Sequence, residues 1–170
     1  DAGKFSFNPG TGILSFTTPP DFETIPSGTI HHVTVQVTDG SLTATQDVLV
    51  TVTPVDEFAP VVTSSAGTNI SVPENTIDVT TITATDADLP APSIRYELYE
   101  ADDGQLFSFD PATGKLSFIT PPIYSAPNDA GADHIYNVKL GVYDEDFETP
   151  LEFVITIINP NSTPNPSEGF

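Results

Sequence analysis

The chain has 170 residues, with 4 Lys and Arg against 24 Asp and Glu, a formal net charge of −20 and no Cys, Met or Trp. Four basic residues cannot build the cationic surface that phosphate backbones or anionic lipids require, so nucleic-acid binding and direct membrane insertion are excluded as expectations. Disulfides, thiolate catalysis and zinc–thiolate sites are excluded with the cysteines.

From the first residue onward the chain reads as short strands. It opens Asp1-Ala2-Gly3-Lys4 without Met, which reads as a processed or excised piece. Phe5-Ser6-Phe7 and Leu14-Ser15-Phe16 flank Asn8-Pro9-Gly10-Thr11-Gly12, a hairpin turn ending in Gly, where positive φ is cheap. Val33, Val35 and Val37 alternate with polar residues, and so do Val48, Val50 and Val52. Later, Ile94, Tyr96 and Leu98 alternate, as do Tyr136, Val138, Leu140 and Val142. Period two places one face of each strand in a core, as in a two-sheet sandwich. No segment carries a convincing helical period. Phe5, Phe7, Phe107 and Phe109 read as core by the same alternation, and His31, His32 and His134 read as exposed.

The chain repeats itself. Phe5-Ser6-Phe7-Asn8-Pro9-Gly10-Thr11-Gly12 returns as Phe107-Ser108-Phe109-Asp110-Pro111-Ala112-Thr113-Gly114, 102 positions on. Beyond that the offset is 105, so that Val33, Val35, Val37 and Asp39 match Val138, Leu140, Val142 and Asp144. A period near one hundred is a domain, not a solenoid turn. The first copy starts in mid-repeat. We therefore expect the C-terminal half of a domain at 1–55, a complete seven-stranded domain at 56–160 and a flexible tail at 161–170. Half a sandwich leaves an apolar face uncovered, so strands from another polypeptide or a neighbouring copy are expected to complete it.

The acids gather in five segments: Asp21 and Glu23, Asp56 and Glu57, Glu74, Asp86 and Asp88, and Asp144. Each lies at a strand end or a joint. Acids brought together at one pole of a sandwich need a counter-charge, and carboxylates without Cys or His select a hard, oxygen-loving cation, Ca²⁺ in preference to Zn²⁺. Asp129 and Asp133, in a three-residue insertion, read as a solvated loop or a lesser site.

The run Val72-Pro73-Glu74-Asn75, then Thr83-Ala84-Thr85-Asp86-Ala87-Asp88, then Phe107 to Leu116 resembles a cadherin repeat. Asp21-Phe22-Glu23 resembles the acidic motif of the preceding repeat. The style is that of cadherin-like repeats in large bacterial surface adhesins. The resemblance implies an all-β fold, a Greek-key β-sandwich of cadherin-like, Ig-like architecture, with up to three Ca²⁺ ions between consecutive repeats. By position the implied ligands are Asp21, Glu23, the Val55 carbonyl, Asp56, Glu57, the Phe58 carbonyl, Glu74, Asp86, Asp88 and Asp144. The joint Pro54-Val55-Asp56-Glu57-Phe58 departs from the family pattern in three side chains. Ile123-Tyr124-Ser125 lacks the acids that would serve a following joint.

The expected function is a Ca²⁺-rigidified spacer or adhesion module of an extracellular, cell-surface protein, with neighbouring repeats or another copy as partners. The alternatives are a subunit of an extracellular filament completed by strands of a neighbouring chain, and a module binding a glycan, a protein or another cell-surface ligand. No nucleophile has a base beside it and no two carboxylates are set apart by environment, so no enzyme is expected.

Overall fold

The computed structural model describes residues 1–25, 30–64 and 67–161; the expected tail beyond Asn161 lies outside them. Packing divides the chain into two units, Asp1–Glu57 with Ala87–Ala91, and Phe58–Asp86 with Pro92–Phe170. Helix is confined to two three-residue 3₁₀ turns among the described residues.

The first unit consists of two hairpins. β1 (Phe5–Asn8) pairs antiparallel with β2 (Ile13–Phe16), and β3 (Ile30–Thr38) with β4 (Thr43–Thr51). The Asn8 carboxamide oxygen accepts the Gly10 amide at 2.9 Å, and Gly12 leaves the turn at φ 71°.

The second unit has nine strand segments among the described residues. β5 (Val61–Val62) and β6 (Asn69–Pro73) belong to different sheets, and β7 (Asp78–Thr81) and β8 (Ala84–Thr85) are separated by two residues. β9 (Arg95–Leu98), β10 (Phe107–Asp110), β11 (Lys115–Phe118), β12 (Ile135–Tyr143) and β13 (Glu148–Ile158) follow. One sheet runs β10–β11–β7 and is carried on by the β8–β5 pair; the other runs β6–β13–β12–β9, with β6 parallel to β13. The passage from β6 to β7 falls at a motif the sequence singled out. After Pro73 and Glu74, Asn75 takes φ 64°, a left-handed conformation that Asn tolerates better than most residues, and the chain crosses to the other sheet.

The core lies between these sheets. Leu116, Phe107, Phe118 and Ile82 come from one side, and Tyr136, Val138, Leu140 and Ile155 from the other. Each buried Leu, Ile or Phe side chain contributes about 1.5–3 kcal/mol by leaving water. Phe107 and Phe118 stack with centroids 4.3 Å apart, and Tyr136 meets both edge-on at 5.9 and 5.1 Å.

The first unit reproduces this arrangement with one exchange. Phe5 and Phe16 stack at 4.4 Å, and His31 stands where the repeat offset places Tyr136, edge-on at 5.8 and 5.6 Å. His31 is therefore buried, 3% exposed, and not on the surface as the sequence suggested. Registers agree as well: Phe5 faces Phe16 as Phe107 faces Phe118, and Val37 faces Ala44 as Val142 faces Thr149. Phe7, expected in a core, is 45% exposed, because the described part of the first unit has no further strand to cover it.

Two outcomes follow. Gly12 and Gly114 share a left-handed φ, but a Cβ on Gly12 meets nothing within 4 Å, whereas one on Gly114 would lie 2.0 Å from the Ile82 carbonyl oxygen. Gly12→Ala should cost about 1–2 kcal/mol for the left-handed backbone, and Gly114→Ala should add about 1–3 kcal/mol of overpacking. All five tyrosines lie in the second unit, so tyrosine fluorescence during denaturation reads Gly114→Ala directly. Burial holds the His31 imidazole below its ordinary pKa, with Lys4 and the terminal amine acting in the same sense. The neutral ring is favoured on folding, so the stabilisation is present above the unfolded value of about 6.5 and is lost as pH falls below it. Hydrogen exchange at the Val33 and Val35 amides should quicken between pH 7 and 5, and His31→Tyr should abolish that change.

Candidate functional site

The first unit carries Asp21, Glu23, Val55, Asp56, Glu57 and Asp88. Asp21 and Glu23 sit in a tight turn after β2. The Asp21 carboxylate accepts the Glu23 amide at 3.0 Å, and Thr24 Oγ1 donates to the Asp21 carbonyl at 3.2 Å. The Glu23 side chain beside it, and these turn bonds, hold the Asp21 carboxyl below its ordinary pKa against a smaller opposing effect of burial. Glu23 Oε1 is buried with no hydrogen bond. Val55, Asp56 and Glu57 follow β4 outside any strand, with Val55 exposed and Asp56 half-buried. Asp88, assigned to the second repeat by sequence, packs with the first unit. It is buried, and its Oδ1 accepts the Glu57 amide at 3.2 Å.

The second unit carries Phe58, Glu74, Asp86 and Asp144. Phe58 precedes β5 and its side chain is exposed. Glu74 extends the β6–β13 pairing through its amide, which donates to the Ile158 carbonyl at 3.0 Å. One of its carboxylate oxygens accepts the Tyr124 amide at 3.1 Å. Asp86 is half-buried directly after β8.

Asp144, 1% exposed, is the most deeply buried of the ten. Its Oδ1 accepts the Asp146 and Phe147 amides at 2.9 and 2.7 Å, closing the turn between β12 and β13. Asp39 closes the equivalent turn of the first unit on Ser41 and Leu42, and those amides hold its pKa down. Asp144 differs in its second oxygen: Oδ2 is buried and has no hydrogen bond. Arg95, one of the four basic residues, donates to the Asp144 backbone carbonyl at 3.3 Å and lies over the Tyr143 ring.

Within neither unit taken alone do three or more His, Cys, Asp or Glu gather into a metal-holding group among the described residues. What each unit presents is carboxylate oxygen partly held by backbone amides. Such orientation suits a cation ligand, because it fixes one oxygen and leaves the charge of the other to be met. The donor set is all oxygen, which is the chemistry of a hard divalent ion.

Sequence reasoning missed a second acidic device in the second unit. Asp103 is buried, and its two oxygens accept the Ala130 amide at 2.7 Å and the Asn137 amide at 2.8 Å. Asp129, expected in a solvated loop, is also buried; its oxygens accept the Asp133 and His134 amides at 2.9 and 3.2 Å. Burial raises its pKa and those bonds lower it, with a net fall. Both acids staple the loop before β12. The Asp-Gly pair at Asp103-Gly104 hinted at a turn but not at its distant partners.

No family model matches the chain. Human protocadherin Fat 4 is 29% identical over 170 residues, covering 97% of this chain and 3% of its own length. Human protocadherin Fat 1 is 31% identical over 120 residues, covering 67% of this chain and 3% of its own length. The crystal structure of human protocadherin-24 EC1-2 superposes with a TM-score of 0.64 at 21% identity, covering 94% of this chain and 78% of that one. The chain is therefore homologous to the extracellular repeats of protocadherins and cadherins, and its sheets have their Ig-like β-sandwich architecture. It spans about 3% of the length of the Fat proteins that it matches.

The loop staple and the candidate ligands should separate on mutation. Asp103→Ala removes the charged acceptor of the Ala130 and Asn137 amides and should lower stability by about 2–4 kcal/mol. Equilibrium denaturation read by tyrosine fluorescence should give the same loss with calcium or with chelator.

Proposed function

We propose that the chain is a calcium-binding pair of cadherin-like repeats, acting as a stiffened spacer or adhesion module outside the cell or at its surface. The observation that carries this reading is Asp144: a carboxylate almost wholly removed from water, one oxygen committed to a turn and the other meeting no donor. A buried charge of that kind is costly unless an opposite charge meets it. Only four Lys and Arg exist in the chain, and the one beside Asp144 binds its backbone. A divalent cation supplies the missing charge.

The residues that would hold calcium are Asp21, Glu23, Asp56, Glu57, Glu74, Asp86, Asp88 and Asp144, with the Val55 and Phe58 carbonyls, around up to three ions. The chemistry that the ions supply is charge neutralisation and oxygen cross-linking of segments far apart in sequence. Backbone amides pre-orient several of these carboxylates, so less order has to be imposed on binding. With the charges neutralised, the repeat-to-repeat joint stiffens. Without the ions, like charges repel and the joint loosens. The partners in this reading are neighbouring repeats of the same protein or another copy of it, and no catalytic step is assigned.

Calcium and chelator should differ in one variant above all. Calcium at 100 times its Kd should stabilise the wild type by about 2.7 kcal/mol, and small-angle scattering should report a longer, less variable particle. Asp144→Asn keeps the Oδ1 acceptor and removes the buried charge. It should match or exceed the wild type in chelator and fall below it in calcium. Equal melting of the wild type in both buffers would contradict the reading.

A further inference from the structure

Asn69-Ile70-Ser71 is an acceptor sequence for N-linked glycan, and calcium binding makes no use of it. So short a pattern arises often by chance, and its place in the fold is what gives it weight. The three residues open β6, and period two sends neighbours to opposite faces. Ile70 packs against the core between the sheets and Val72 is buried, whereas Asn69 and Ser71 are exposed. The acceptor amide and the hydroxyl two residues on therefore share the outer face. The backbone around them is committed: the Val154 amide donates to the Thr68 carbonyl at 2.8 Å, and β6 runs parallel to β13 from Asn69 to Pro73. The Asn69 carboxamide is left over. Asn8, Asn128 and Asn159 each accept a hydrogen bond through the side chain, from Gly10, Tyr136 and Asn161. No such bond occupies Asn69 among the described residues.

The position of β6 makes a sugar there consequential. Among the described residues β6 and β9 are the two outer strands of the β6–β13–β12–β9 sheet. An unpaired strand edge is a template for another chain, and proteins blunt it with charge or bulk. β9 carries exposed Arg95 and Glu97. β6 carries no charge, and neither does any residue from Ala59 to Pro73 in a chain with 24 Asp and Glu. Its outer face also continues into exposed apolar side chains of β13. Val154, paired with Asn69, is 37% exposed, and Ile158, paired with Pro73, is 42% exposed. A glycan is bulky and solubilising, and at Asn69 it stands where the charged guard of the other edge has no counterpart.

We propose that Asn69 is an N-glycan acceptor and that its sugar guards the β6 edge. This rests on the extracellular placement proposed above, because the transfer belongs to a secretory compartment. The co-reactant is an oligosaccharide carried on a lipid pyrophosphate. Asn69 Nδ2 bonds to the anomeric carbon as the bond from that carbon to the pyrophosphate oxygen breaks. The lipid pyrophosphate leaves, and the amide proton passes to a base of the transferring enzyme. The other acceptor sequence, Asn161-Ser162-Thr163, runs beyond the described residues after Asn161 and has no part in the proposal.

The test sends the full chain through the secretory pathway of animal cells behind a cleavable signal sequence, beside Asn69→Gln, Ser71→Ala, Ser71→Thr and Asn161→Gln. Intact mass should show an adduct on the wild type that a peptide N-glycosidase removes, with conversion of Asn69 to aspartate in the peptide map. Asn69→Gln and Ser71→Ala should lose that adduct. Ser71→Thr, which keeps the acceptor sequence, and Asn161→Gln should retain it. In sedimentation velocity Asn69→Gln should form larger species at concentrations where the glycosylated wild type does not. An unmodified Asn69, in secreted or in retained chain, overturns the proposal. An occupied Asn69 whose loss leaves sedimentation unchanged overturns the guarding role. Melting with calcium and with chelator is read on the same preparations, so a failure of calcium binding is a separate result from a missing glycan.

Discussion

A carboxylate oxygen buried without a donor is the constraint on which the proposed function turns. Asp144 illustrates it most sharply. Its first oxygen is needed by the protein itself, to close the turn between β12 and β13. That use fixes the side chain in a buried place and commits the second oxygen to burial with it. Moving the charge outward would break the turn that those two amides close. In a chain of net charge −20, the counter-charge proposed above is a cation from solution. On that proposal the fold couples a local structural demand to an ion.

The same economy runs through the other candidate ligands. Glu74 holds the Tyr124 amide, Asp88 the Glu57 amide and Asp21 the Glu23 amide. These acids serve the loops they sit in as well as any ion they bind. Asp103 and Asp129 show what an acid in this fold looks like when it is purely structural: both oxygens are bonded to backbone amides. That contrast, more than acidity, separates a loop staple from a candidate ligand.

Much of this was legible in the residues because the repeat supplies its own control. Alternation located the strands, and the 102- and 105-residue offsets matched the two copies, since period two leaves a strand little choice of face. The acidic segments were legible by type, and the resemblance gave their order. Other features depend on partners far off in the chain. His31 is buried because it takes the place of Tyr136 against two phenylalanines, a fact of packing that no local pattern contains. Asp103 reaches residues 27 and 34 positions away. The grouping of Ala87–Ala91 with the first unit likewise arises from packing and not from the repeat boundary. Phe7 was read as core because its pattern is that of Phe109; the pattern was right and the cover is what differs.

The most direct measurement is a crystal structure grown in millimolar calcium, with anomalous data collected to locate the ions. The account predicts anomalous density within 2.3–2.6 Å of the Asp144 carboxylate, with oxygens of several other acidic segments completing the shell. Density at Asp144 explained by water alone, with Asp21, Glu57 and Asp86 turned outward into solvent, would contradict it.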